Sequence, residues 1–295
     1  MIANKLRADL LLTLTALIWG AAFVAQRLGM DHIGPFTFNA VRFALGALAL
    51  QPLLWKMRQT RTREGGGQGM EPKRILRYGL LAGCVLFAGA ALQQVGMVYT
   101  TAGKAGFITG LYVVMVPLFG LALGNRAGAG TWMGALAAAA GLYLLSVNED
   151  FTIAYGDVLE LIGAVFWAGH VLLISRLSPG MDGTDAVRLA SAQFVVCSAL
   201  SLAVGVAVEP TTLAGLSGAA VPILYGGLMS VGVAYTLQVV AQRDADPAHA
   251  AIILSLEAVF AAVAGYFLLG EVLALRALIG CGLMLGGMIL SQLKP

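Results

Sequence analysis

The sequence predicts an all-α membrane protein of ten transmembrane helices, built as two five-helix repeats inserted in opposite senses. Three observations predict it: the composition, the rhythm of apolar runs, and an internal period near half the chain. Of the 295 residues, 59% are hydrophobic and 11% charged, with a mean hydropathy of +0.85. A soluble domain carries about 25% charged residues. A water-facing surface cannot be made from this composition, so the bilayer is the solvent.

A hydrocarbon core of about 30 Å asks a helix for roughly 20 apolar residues, and runs of that length follow one another closely. The first is Leu10 to Leu28, behind Lys5 and Arg7. It is too long for a signal-peptide core and is expected to be an uncleaved first helix. Pro35 to Leu54 follows, then Met57 to Pro72, rich in Arg and Gly, which reads as a solvated linker. Ile75 to Tyr99 is the third span, with the Gly79-x-x-x-Gly83 spacing that lets helices approach closely. Ala105 to Gly124 is the fourth, carrying Gly106-x-x-x-Gly110 and the mid-span Pro117, a candidate hinge because proline removes one backbone hydrogen bond. Thr131 to Val147 closes the first half. The second half reads Asp157 to Leu177, Ala186 to Ala207, Gly218 to Ala241, Ala248 to Gly270 and Leu273 to Leu293. Its last span contains Gly282-x-x-x-Gly286, which suits a monomer or a weak homodimer. Connections such as Thr100 to Lys104 and Asn125 to Gly130 leave no room for a soluble domain.

Ten spans put both termini on one side. That side carries Lys5, Arg7, Lys56, Arg58, Arg61, Arg63, Lys73, Arg74, Arg77, Arg126, Arg176, Arg188, Arg243 and Lys294, which is 14 of the 18 basic residues. The opposite loops carry Asp31, Glu149, Asp150, Asp157, Glu209 and Glu271, with Arg27, Lys104 and Arg276 as exceptions. By the positive-inside rule both termini are expected in the cytoplasm. The same placement explains the basic pI without a nucleic-acid partner. Cys84, Cys197 and Cys281 are scattered through apolar runs and suggest neither disulfides nor a metal site, and no cofactor is expected.

The halves resemble each other, with residues 1–148 expected as the first repeat and 149–295 as the second. ALIWGAAFVAQRL, ending at Leu28, answers to AVFWAGHVLLISRL, ending at Leu177, which pairs Trp19 with Trp167. LALGNRAGAGTWMGALAAAAG answers to FLLGEVLALRALIGCGLMLGG, pairing Gly124 with Gly270, Gly134 with Gly280 and Gly141 with Gly287. Leu92-Gln93 answers to Leu237-Gln238 with one residue of slack. An odd-numbered repeat must enter the membrane from opposite sides in its two copies. Inverted halves can exchange conformations and open a midplane site alternately to each side, which is the strongest sequence argument for transport.

Ionisable groups at membrane depth cost roughly 2.5 to 3.5 kcal/mol on insertion scales and need a partner or a wet cavity. Arg42, His170 and Glu257 form this group. Glu257 lies about 14 Å into its span by helical rise; it reads either as a contact for a substrate amine or a proton carrier, or as a structural charge paired with Arg42 or hydrogen-bonded to His170. His170 follows Trp167 on one helix face and is either a satisfied core histidine or a cavity residue. Arg42 can hold a carboxylate or compensate Glu257. Gln93 and Gln238 should face inward, since an amide in lipid leaves its donors and acceptors unsatisfied. Trp19 and Trp167 lie away from the span ends, unlike interfacial belt aromatics. Tyr112 and Tyr235 sit mid-span and have hydroxyls to offer.

The stretches IWGAAFVAQR, LQQVGMVYTTAGKAGFITGLYVVMVPLFG and SLEAVFAAVAGYFLLGEVL followed by ALIGCGLMLGG resemble the ten-helix EamA-type members of the drug/metabolite transporter superfamily, and among these the YddG-like amino-acid exporters. The resemblance implies helices one to four and six to nine around a central cavity, with helices five and ten at the periphery. It implies a secondary transporter of the bacterial cytoplasmic (inner) membrane that exports amino acids or related small metabolites by alternating access. Its candidate substrate contacts are Trp19, Gln93, Tyr112, Trp167, His170, Tyr235, Gln238 and Glu257. Carriers of nucleobases, polyamines or drugs are the alternative, and proton coupling stays open. Asn125-Arg126 stands where the second copy has Gly270-Glu271, and Lys104 where it has Ala250, so the halves need not share roles. An intramembrane enzyme lacks its motifs here: the chain has no H-E-x-x-H, G-x-S-x-G or P-loop. A channel calls for rings of charge or exposed carbonyls.

Overall fold

A backbone in hydrocarbon must satisfy its own hydrogen bonds, and the described parts of this chain do so through helices. The computed structural model describes residues 2–63, 69–100, 102–125, 127–146, 154–269 and 274–293. Arg126, Glu149, Asp150, Gly270, Glu271 and Lys294, and the side chain of Lys104, lie outside what is described.

The helices are α1 (Ile2–Gly29), α2 (Pro35–Ala49), α3 (Gln51–Arg63), α4 (Pro72–Tyr99), α5 (Ala102–Gly110), α6 (Tyr112–Ala122), α7 (Ala129–Ser146), α8 (Tyr155–Leu177) and α9 (Gly183–Val208). They continue with α10 (Leu213–Gly218), α11 (Ala220–Leu224), a π-helical stretch Tyr225–Tyr235, α12 (Thr236–Ala241), α13 (Pro247–Leu254), α14 (Glu257–Leu269) and α15 (Leu275–Leu293). Among the described residues eight helical segments are long and apolar enough to cross a membrane: Lys5–Gly29, Pro35–Arg63, Pro72–Tyr99, Ala105–Ala122, Tyr155–Leu177, Gly183–Val208, Ala220–Ala241 and Pro247–Ala264. Two shorter apolar helices, Ala129–Leu144 and Leu275–Ser291, lie where the fifth and tenth spans are expected. The linker expected from Met57 corrects to helix: α3 carries the chain through Arg63, because Gln, Lys, Met and Arg are good helix formers and glycine enters only at Gly65.

Helix direction follows from where small residues let backbones touch. Side-chain atoms at a Gly134 position would meet the Gly287 carbonyl oxygen at 2.6 Å, and at Gly141 the Gly280 carbonyl oxygen at 2.5 Å. Rising numbers on α7 therefore meet falling numbers on α15, and the two run antiparallel in the most extensive helix pair of the fold. Gly79 lies against Ala192 and Gly83 against Val196, so α4 and α9 run parallel. Gly89 faces Trp167 and Gly96 faces Glu160, which makes α4 and α8 antiparallel. α2 packs on α9 and on the π-helical stretch, and α1 on α14 and the same stretch. Leu10, Leu14 and Leu17 of α1 and Leu118 and Leu121 of α6 stay exposed, as lipid-facing side chains do.

At one end of the bundle the basic residues tie loops together. Arg61 pairs with Asp182 and Asp185, Arg188 with Asp185, and Arg176 and Arg243 donate to the Leu123 and Met181 carbonyls. At the other end Glu209 caps α2, accepting from the Phe36 and Thr37 amides at 2.8 Å each, where the positive end of the helix dipole favours a carboxylate.

Candidate functional site

Two of the long spans are interrupted at matching depth. α5 gives way to α6 at Leu111, and α13 to α14 at Ser255-Leu256. Interrupted helices inside a membrane are tolerated where the freed backbone lines a cavity or is buried in protein, and both breaks meet one central cavity. The first break places Thr109 at the end of α5 and Tyr112 at the start of α6, and both face that cavity. The second starts α14 on Glu257, in the first turn, where the helix dipole favours an acid. Tyr112 Oη donates to Glu257 Oε1 at 3.4 Å, joining the two breaks. Pro117 is buried within α6, and the interruption of this span falls six residues before it.

A third irregularity shapes the opposite wall. The π-helical stretch carries Gly226, Gly227, Ser230 and Gly232, and it widens the helix enough to free carbonyls for side-chain donors. Trp19 Nε1 donates to the Ser230 carbonyl at 3.3 Å and Thr15 Oγ1 to the Ala234 carbonyl at 3.2 Å. The stretch packs tightly on α2, since a Cβ at Gly46 would stand 2.3 Å from Val231 Cγ1. Ser230 and Tyr235 face the cavity from it.

The cavity has a volume of about 40 Å³. Its wall comprises Trp19, Phe23, Gln26, Arg42, Gln93, Thr109, Tyr112, Trp167, Val171, Ser230, Tyr235, Gln238, Leu254 and Glu257. Of the residues singled out in the sequence, Trp19, Arg42, Gln93, Tyr112, Trp167, Tyr235, Gln238 and Glu257 come together here. α7 and α15 contribute nothing to the wall, and neither does α9.

Aromatic rings make up much of the surface. Trp19 and Tyr235 have centroids 4.5 Å apart, and Trp167 stacks on Tyr235 at 6.1 Å. The Trp167 indole occupies the space over Gly89, where a Cβ would stand 3.2 Å from it. The polar groups differ in how they are held. Arg42 donates through Nε to Asn39 Oδ1 at 2.8 Å, and its guanidinium lies 4.9 Å from the Phe43 ring centre. It makes no ion pair with Glu257, so any compensation between them acts across the cavity. Trp167 Nε1 and Gln238 Oε1 are buried and have no hydrogen-bond partner within the described protein.

His170 does not reach the cavity. It is fully buried, and its Nε2 bonds Gln193 Oε1 at 2.8 Å between α8 and α9, edge-on to Trp167. Gln26, Thr109 and Ser230 are wall residues that reading the sequence missed. Gln26 had a signal: Trp19, Phe23 and Gln26 recur at helical spacing on one face of α1. Thr109 and Ser230 had none, because short hydroxyls are ordinary in membrane helices and here the helix irregularities aim them inward.

Buried polar groups converging from seven helical spans on an aromatic-walled cavity, inside a bundle with an apolar exterior, define a polytopic membrane protein with an internal cavity fit to receive a solute. Comparison with known proteins is more specific. Residues 6–147 and again 154–293 match the EamA-like transporter family, and the chain belongs to that family. It is 31% identical to an uncharacterized transporter of Archaeoglobus fulgidus over 99% of this chain and 87% of the relative. It is 27% identical to the uncharacterized inner membrane transporter YedA of Escherichia coli, over 94% of this chain and 88% of YedA. A crystal structure of a protein at 18% identity superposes with a TM-score of 0.77, covering 97% of this chain and 96% of that one, which supports the fold alone. The protein is therefore a membrane transporter for a small-molecule substrate.

Proposed function

We propose that this transporter is a secondary carrier that exports amino acids or related small metabolites by alternating access. The observation that carries the reading is the division of the cavity wall. A guanidinium, Arg42, and a carboxylic side chain, Glu257, face one space without pairing with each other, and aromatic planes fill the wall between. A zwitterion has a carboxylate for the first and an ammonium for the second, and the indole N–H of Trp167 and the carbonyl of Gln238 are free to bond it. In this reading Trp19, Gln93, Tyr112, Trp167, Tyr235, Gln238 and Glu257 contact the solute. His170 stands behind Trp167 without contacting the solute, and Pro117 serves as a hinge of the span that breaks at Leu111.

Alternating access rests on ten spans forming two inverted repeats, residues 1–148 and 149–295. The helix pairings support this. If α1, α2, α4, α5–α6 and α7 correspond to α8, α9, the π-helical span, α13–α14 and α15, most major contacts between the halves have an exchanged counterpart. α4 on α8 corresponds to α1 on the π-helical stretch, and α4 on α9 to α2 on that stretch. The antiparallel course of α7 and α15 agrees with inversion. The end rich in Arg61, Arg176, Arg188 and Arg243 is assigned to the cytoplasm together with both termini, in a bacterial inner membrane. The carrier is read as a monomer or weak homodimer.

Carriage of a cationic or flat aromatic solute, such as a polyamine or drug, is the second reading, favoured by the Trp19–Tyr235–Trp167 cluster. Efflux of preloaded radiolabelled amino acids from proteoliposomes separates the two. Saturable efflux above that of empty vesicles is expected. No amino acid leaving faster than from empty vesicles defeats the first reading. Repeating the assay with and without a pH gradient, in wild type and Glu257→Gln, tests whether protons are exchanged at Glu257.

A further inference from the structure

Glu160 is a fully buried acid that solute binding does not use. It sits on α8, one turn in from Asp157. Thr109 Oγ1 donates to its Oε2 at 3.1 Å, while Oε1 has no hydrogen-bond partner. The facing helix is cut away to admit it: a Cβ on Gly96 of α4 would stand 2.8 Å from Oε1 and 3.1 Å from the carboxyl carbon. Gly156 of α8 presses on α4 beside it, with its Cβ position 2.6 Å from the Gly96 carbonyl oxygen. Two glycines at one crossing thus leave a niche the size of a carboxyl group.

Among the described residues, an ionised carboxylate in this niche has a single neutral hydroxyl donor. Burying a charge so poorly compensated is costly, and taking up a proton removes the charge while keeping the shape. The groups around it are few. α4 presents Gly96, with Tyr99 further along; α5 presents Thr109; and α8 itself presents Asp157, which accepts from the Thr100 hydroxyl and the Ala154 amide at the membrane end. No described Lys, Arg or His forms an ion pair with Glu160. On its inner side the link is short, because Thr109 also lines the cavity and Tyr112, one turn on, donates to Glu257.

We propose that Glu160 is a second proton-binding site, exchanging its proton with water at the membrane face where α8 begins and linked to the cavity through Thr109. Given the carrier reading above, on which this use of the site rests, the proton state of Glu160 sets the cavity wall. With the carboxylate ionised, the Thr109 hydroxyl is held on Oε2. With the acid neutral, that bond loses its charge assistance and weakens but persists in the absence of solute, so that a bound solute can compete for the hydroxyl. The proton enters from water and returns to it, so no bond other than O–H is made or broken.

Infrared difference spectroscopy of the full chain in lipid nanodiscs, between acidic and alkaline buffer and without any solute, tests the site. Beside the contributions of exposed Asp and Glu, which all variants share, the carbonyl band of protonated carboxylic acids should contain one contribution from Glu160 and one from Glu257. Glu160→Gln should remove one, Glu257→Gln the other, and the double variant both. Thr109→Val keeps Glu160 in place and should shift its band to higher frequency by removing one hydrogen bond, which covers the case in which Glu160→Gln fails to fold. An acid band unchanged in Glu160→Gln, or unmoved in Thr109→Val, overturns the proposal and leaves Glu160 a structural carboxylate. The carrier reading is decided separately by the flux assay.

Discussion

Gly134 and Gly287 meet backbone to backbone where α7 crosses α15, each presenting its carbonyl oxygen 2.6 Å from where the other's Cβ would lie. Any larger residue must push the helices apart, and Gly134 and Gly287 come from two of the three glycine pairs matched between the halves. Gly287→Val is expected to destabilise the bundle by about 1 to 3 kcal/mol through overpacking. Since α7 and α15 stay off the cavity wall, transport per folded molecule should hold. Thermal unfolding in detergent alongside flux normalised to folded protein checks this; a raised KM at unchanged stability would contradict it.

The Tyr112–Glu257 bond predicts a graded pair of variants. It is long at 3.4 Å, and a neutral hydrogen bond contributes about 0.5 to 1.5 kcal/mol. Tyr112→Phe should therefore lower kcat/KM by no more than roughly tenfold, the equivalent of about 1.4 kcal/mol. Glu257→Gln removes the charge and should cost more than Tyr112→Phe, with any dependence on a pH gradient lost as well. Equal losses in the two variants would mean that the carboxylate matters only through the tyrosine.

How much of this was legible in the sequence follows from what kind of signal each feature leaves. Span positions came from apolar runs, because hydrocarbon thickness dictates their length. The eight wall residues singled out were visible because a large polar or aromatic side chain inside an apolar run must find company. The same logic selected His170, whose company turned out to be Gln193 rather than the cavity: burial shows in a sequence, but the direction a side chain faces does not. Glu160 does not stand out in the sequence, because it lies only three residues into the span that begins at Asp157, where an acid near the membrane end is ordinary. The breaks at Leu111 and Ser255-Leu256 and the π-helical stretch left little trace, since they arise from tertiary contacts. They are also what aims Thr109, Glu257 and Ser230 inward.

His170 and Gln193 form a buried pair with no role on the cavity surface. Removing one partner strands the other, at a cost of about 1 to 3 kcal/mol. His170→Leu and Gln193→Leu should each lower stability by that amount. The double variant should recover part of the loss, because both polar groups are then gone. KM should stay within about twofold of wild type, roughly 0.4 kcal/mol. A large KM change in His170→Leu with stability preserved would return the histidine to the solute site.

Arg42 offers the sharpest discrimination between solute classes. Its guanidinium is buried, oriented by Asn39 and backed by Phe43, so it presents a fixed fork of donors to the cavity. A fork of that kind matches a carboxylate in two parallel bonds, which the point charge of lysine cannot reproduce. Arg42→Lys should therefore raise KM for a transported amino acid by about tenfold or more, on the order of 1.4 kcal/mol. Competition by the matching amine, which lacks the carboxylate, should hardly change. In wild type the amino acid should compete better than its amine, and in Arg42→Lys the two should converge. Measuring both inhibition constants against one radiolabelled solute decides it. If the amine competes better than the amino acid in wild type, Arg42 repels cations rather than binding carboxylates, and the aromatic cluster with Glu257 becomes the recognition element for a cationic solute.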